Sequence, residues 1–90
     1  FNIPNAFSPN GDGINDEFKP QYSCTTSYYS LTIFDRYGMP LFQTGNQGDP
    51  WNGTRNGKSV PTGTYYYILK VQAITDSTLS IKSGSITIIR

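Results

Sequence analysis

Residues 64–75, TYYYILKVQAIT, alternate with a period of two. Tyr65, Tyr67, Leu69, Val71 and Ala73 fall on one face, and Tyr66, Ile68, Lys70, Gln72 and Ile74 on the other. A helix would scatter both sets around its circumference, because its side chains repeat every 3.6 residues rather than every two. These β-branched and aromatic residues suit a pleated, half-buried surface. A strand of this kind needs partners, since its N–H and C=O groups must pair with something.

The partners are legible on either side. SYYSLTIFDR (27–36) places Tyr29, Leu31 and Ile33 on one face and Tyr28, Ser30 and Thr32 on the other. SGSITIIR (83–90) reads as a last strand with Ile86 and Ile88 facing inward. Shorter strands are expected at 2–7, 17–21, 40–44 and 79–82. Pro and Gly recur throughout, and no stretch carries a convincing helical pattern. Gly38 in DRYGMP, Asn56-Gly57 in RNGK and Gly63 in PTG mark turns; Asn-Gly is a strong hairpin signal because both positions tolerate positive φ. The pattern predicts an all-β chain, an immunoglobulin-like antiparallel β-sandwich of about seven strands with no significant helix. No linker or repeat interrupts it, so 1–90 is read as a single domain, with long loops at 8–16 and 43–60.

Charge and residue inventory exclude several functions. Seven basic against six acidic residues leave a net charge of +1, too little for a nucleic-acid face. No apolar run is long enough to form a membrane-spanning segment. No signal-peptide pattern opens the sequence, which leaves the compartment open. Histidine is absent, which removes histidine acid–base catalysis and histidine metal sites. The single Cys24 cannot form an internal disulfide and has no base beside it, so it is read as a bystander. The carboxylates Asp12, Asp16, Glu17, Asp35 and Asp49 lack the apolar neighbours that would tune them for catalysis. No enzyme is expected, and no cofactor is required.

Two motifs carry alternatives. SPNGDGINDEF (8–18) resembles a calcium loop: counted from Ser8, Asn10, Asp12 and Asp16 fall at ligand positions, with Gly13 at the turn. Ser8 stands where Asp is expected and Lys19 where the bidentate Glu is expected, so Asn10, Asp12 and Asp16 would bind calcium weakly. The same residues also make a self-contained turn, with Asn and Asp side chains bonding backbone N–H groups two residues on. Trp51, between Pro50 and Asn52-Gly53, is either a plug over one open end of the sandwich or an exposed stacking platform for a sugar.

Four separated stretches, IPNAFSPNGDGINDEFKP, LTIFDRYGMPLFQT, WNGTRNGKSVPTGTYYYILKV and GSITIIR, together resemble a known family in order and spacing. The chain is similar to the gliding-motility-associated C-terminal domain, the type B sorting domain of the type IX secretion system. The third stretch is also similar to the immunoglobulin-like module of flagellar hook-capping proteins. The first resemblance implies a non-enzymatic C-terminal address on a large adhesin or secreted protein of a Gram-negative gliding bacterium. It implies passage through periplasm and outer membrane to the extracellular space or cell surface. The implied partners are the outer-membrane secretion machinery and cell-surface attachment proteins. Cys24 is not required by the family pattern. On the last strand, the exposed positions Thr87, Ile89 and Arg90 are candidates for reading by a partner. The alternative is a carbohydrate-binding or adhesive β-sandwich that stacks sugars on Trp51 and on surface tyrosines such as Tyr37 or Tyr66.

Overall fold

A computed structural model describes residues 3–9, 16–20, 25–75 and 77–89. Among these the chain is all-β, with seven strands and no helix: β1 (Ala6–Phe7), β2 (Thr26–Phe34), β3 (Pro40–Thr44), β4 (Thr54–Arg55), β5 (Lys58–Ser59), β6 (Gly63–Ala73) and β7 (Ser80–Ile88). Five form one sheet in the order β1-β7-β6-β2-β3, and β4-β5 form a small hairpin of their own.

The alternation that predicts β6 also decides which face is inside. Leu31 and Ile33 of β2 lie opposite Leu69 and Tyr67 of β6, and Tyr65 lies opposite Ile86 of β7. Tyr29, Leu31, Ile33, Tyr65, Leu69, Val71, Ile86 and Ile88 are all buried on this face. The second layer is not a matching sheet. Phe18, Trp51 and Val60, all buried, come from the connecting segments and close the core from above, giving a sandwich-like fold.

Several strand limits differ from those the sequence predicts. Of the stretch at 2–7, the described residues 3–7 contribute only Ala6–Phe7, and β1 runs parallel to β7 rather than antiparallel, with Ala6 beside Thr87. Of the stretch at 17–21, the described residues 17–20 form a single bridge, Phe18 to Trp51, and Pro20 has no N–H with which to extend it. Residues 79–82 and 83–90 are not two strands: Ser80–Ile88 runs unbroken through Gly84. The glycine is there for close approach, since a Cβ on it would stand 3.0 Å from the Tyr67 hydroxyl. β2 stops at Phe34, at a bulge between Ile33 and Phe34 that leads into the turn.

The turns follow their chemistry. Asn56 and Gly57, with φ of 54° and 81°, make the two-residue connection of the β4–β5 hairpin. In the β2–β3 turn, Asp35 Oδ1 accepts the N–H groups of Tyr37 (2.8 Å) and Met39 (2.9 Å), and Gly38 takes the left-handed position at φ 83°. At the entrance to β6, the Tyr65 hydroxyl donates to the Pro61 carbonyl at 2.6 Å. That bond ties the start of a long strand to the preceding loop, as tyrosine corners do in β-sandwiches.

A second core tyrosine behaves oppositely. The Tyr29 hydroxyl is buried without a hydrogen-bond partner among the described residues. Its pKa is raised, first by burial and then by the negative charge of Asp49. The folded state therefore holds the neutral phenol more firmly than the unfolded chain does. Stability is lost as pH rises past the ordinary tyrosine value of about 10, where the unfolded state releases its proton first. Two matched substitutions test this difference in thermal and urea unfolding. Tyr65→Phe should lower stability by about 1 kcal/mol through its lost bond. Tyr29→Phe should leave stability unchanged or raise it, and should reduce the loss at alkaline pH.

Candidate recognition surface

One end of the molecule is built on aromatic packing. Trp51 is 1% exposed. Its ring meets Phe7 at a centroid distance of 5.6 Å and Tyr65 edge-on at 5.7 Å. Phe18, fully buried, packs between Phe7 (6.4 Å) and Tyr67 (5.7 Å). The indole N–H donates to the Thr54 carbonyl at 3.0 Å, so the polar atom is satisfied as well. Trp51 is thus the plug, and the stacking-platform reading of this residue fails because its ring has no free face.

Short polar links aim the plug. Thr44 Oγ1 donates to Asp49 Oδ2 at 2.8 Å and accepts the Asn46 N–H at 3.0 Å, which closes residues 44–49 into a tight loop. Thr26 on β2 reaches the same loop through Gln47 Oε1 at 3.0 Å. Pro50 and Trp51 follow directly. Phe18 and Trp51 then exchange two backbone bonds, at 2.7 and 2.8 Å, which hold the two long connections together across the core.

Of the candidate calcium ligands, Asn10 and Asp12 lie outside the described residues. Asp16 is half-buried and lines a shallow cleft with Pro9, Glu17 and Asn52. Among the described residues no three His, Cys, Asp or Glu side chains gather as a metal-binding group.

Of the candidate partner-reading residues, Thr87 and Ile89 are exposed, and Arg90 lies outside the described residues. The backbone beneath them is committed. β7 pairs with β6 on one side, while on the other the Thr87 and Ile89 N–H groups donate to Asn5 (2.9 Å) and Phe7 (3.0 Å). A partner reading Thr87 and Ile89 meets side chains there, not a free strand edge.

The sequence reading names Tyr66 as a surface tyrosine but not the surface to which it belongs. The uncovered face of the five-stranded sheet carries Tyr28, Tyr66, Ile68 and Ile81, exposed by 49, 45, 37 and 60%. An open groove crosses it, lined among others by Phe34, Arg36, Tyr66, Ile68, Ser83 and Ser85. The signal was present in residues 64–75, whose second face holds Tyr66 and Ile68 where a solvated face is normally polar.

This architecture, an open sheet capped by an aromatic plug, defines a small all-β module. Its fold is similar to that in the crystal structure of CopC from Methylosinus trichosporium OB3b, with a TM-score of 0.60 and 14% identity over 96% of this chain and 83% of that one. No curated protein sequence matches the chain. The model of the CHU_C family, the type IX secretion signal domain, matches residues 1–88, and the chain belongs to that family. It is therefore a secretion signal domain with an all-β fold.

Removing the plug should be costly. Trp51→Ala is expected to lose about 3–5 kcal/mol. That approaches the whole stability of a small domain, so the protein should lose its cooperative melting transition. Trp51→Phe keeps part of the packing and should melt cooperatively at a lower temperature.

Proposed function

We propose that this domain directs export of a larger parent protein, an adhesin or secreted protein, across the outer membrane by the type IX secretion system, with retention at the cell surface afterwards. The family match over nearly the whole chain carries the reading. The secretion machinery recognises the folded domain. At Thr87 and Ile88 β7 is paired on both edges, so the outward side chains there become a defined surface only when the sheet has formed. Thr87 and Ile89, with Arg90, form part of the surface read by the outer-membrane machinery or by surface attachment proteins.

The test fuses residues 1–90 to a fluorescent protein in a bacterium that has this pathway. Reporter should appear outside the cell or on its surface, and deletion of the domain from a parent should leave that parent in the periplasm. Thr87→Glu and Ile89→Asp change exposed side chains without touching the core. Both should block export while moving the melting temperature by only a few degrees, as surface changes do. Normal export of both variants would remove this face from the proposal.

The loop at 8–16 enters the proposal as a turn, with calcium at Asn10, Asp12 and Asp16 as its alternative. Calorimetric titration with calcium separates the two. The turn reading expects no heat and an unchanged melting temperature at millimolar calcium; saturable heat that is lost in Asp12→Asn would establish the cation loop.

A further inference from the structure

The slot beside β7 is only partly filled. β7 spans Ser80–Ile88, and β1 pairs with it at Thr87 and Ile88 alone. Upstream of β1 the chain leaves the slot, and Ile3 packs against the core instead. Thr87 and Ile89 donate their N–H groups to the Asn5 and Phe7 carbonyls, so their backbone faces the outer edge of the strand. Backbone direction alternates along a paired strand. The pairing of β7 with β6 runs from Ser80 to Ile88 without a register shift. Ile81, Ser83 and Ser85 therefore turn their N–H and C=O groups to the same outer edge as Thr87. Among the described residues no strand pairs with them there.

This stretch lacks most of the features that keep strands apart. Residues 80–85 contain no proline, and no bulge interrupts them. Lys82 is their one charged residue, and it shares a face with Leu69 rather than with the groove. The open groove reaches this edge: Ser83 and Ser85 line it, with Ile68 and Tyr66 directly opposite them on β6. The serines are small, and they leave Ile68 and Tyr66 open from the edge side. Neighbouring strands lie about 4.8 Å apart. A large apolar side chain on a strand added outside β7 lies across a serine and meets Tyr66 or Ile68. At its far end the groove holds Asp35 and Arg36 together, so it favours neither sign of charge.

Two kinds of occupant fit a strand edge: a second copy of the chain, or an extended segment of another protein. Second copies pairing edge to edge would overlap only along Ile81–Ser85, because β1 fills the rest of the slot in both. A standard interface uses about 20 residues a side. An extended segment needs only a short free edge: main-chain bonds hold it, and pockets for alternate side chains select it. We propose that β7 accepts an extended, uncharged segment of a partner protein as an added strand along Ile81–Ser85. Every second residue of that segment is large and apolar, laid over Ser83 and Ser85 against Ile68 and Tyr66. The added strand continues the slot that β1 begins. It goes beyond the export reading, and its binding is measured without secretion.

The probe is an end-blocked synthetic peptide of alternating Thr and Tyr, followed by calorimetry and by amide hydrogen exchange in the 90-residue protein. In the free protein the Ile81, Ser83 and Ser85 amides should exchange fast. Those of Lys82 and Gly84 should exchange slowly, since they bond to β6. The peptide should bind and slow exchange at the three fast sites. The same peptide, N-methylated at every second residue, is made in both registers. One register should lose about tenfold in affinity through its missing main-chain bonds. Ser83→Pro removes an N–H that β6 does not use, a place where a strand tolerates proline. It should melt cooperatively and bind about tenfold more weakly. Tyr66→Ser should weaken binding several-fold. The N-methylated peptides keep the test decisive if either variant does not fold. Three results would overturn the proposal: slow exchange at Ser83 and Ser85 in the free protein, no binding at millimolar peptide, or undiminished binding of both N-methylated peptides. Protection of Ser83 and Ser85 that rises with protein concentration alone would assign the edge to a second copy and overturn it as well.

Discussion

The pair of backbone bonds between Phe18 and Trp51 is the constraint on which the rest of the structure depends. A five-stranded sheet with one apolar face cannot stand alone in water; something must cover that face. In a 90-residue chain whose three longest strands, β2, β6 and β7, all lie in one sheet, a complete second sheet is not on offer. The cover is instead made from two connections, each contributing one large aromatic side chain and held to the other by a single antiparallel bridge. Phe7 and Tyr65 then receive Trp51, and Tyr67 receives Phe18. The sheet owes its dry face to this contact between two segments that are otherwise irregular.

The long elements of the fold were legible in the sequence because period two is a local signal. The alternation at 27–36 and 64–75 predicts both strands and their buried faces, and Asn56-Gly57 predicts a hairpin turn through positive φ alone. The limits of the short elements were not legible. Whether residues 2–7 pair along their length depends on β7, some eighty positions later, and nothing in IPNAF encodes that register. Gly84 looks like a strand end in the sequence; its reason for being there, the ring of Tyr67, becomes visible only in three dimensions. Trp51 shows the limit for sites. A Trp in a Pro- and Gly-flanked loop fits both a plug and a sugar platform, and only its burial decides. Of the candidate site, the exposure of Thr87 and Ile89 follows from the inward facing of Ile86 and Ile88, whereas the groove at Tyr66 required knowing that the sheet has a bare side.

The two edges of the sheet are its shortest strands. β1 has two residues and β3 five, while the three strands of nine to eleven residues lie between them. Short edge strands are a recognised defence against edge-to-edge aggregation. Where β1 covers β7, at Thr87 and Ile88, recognition of the strand passes through its side chains. Specificity can then be altered by single surface substitutions without disturbing the strand pairing that keeps the module folded.

The parallel pairing of β1 with β7 also has a meaning in time. Chains are made from the amino end, so Ala6 and Phe7 exist long before Thr87 and Ile88, their partners in the sheet. Pairing sites this far apart closes a long loop, which is slow in folding and cannot begin until the distal strand has been made. A domain truncated before β7 therefore also leaves β1 without its partner. If a secretion apparatus reads the closed sheet, it is in effect checking that the first and last strands of the domain are both present.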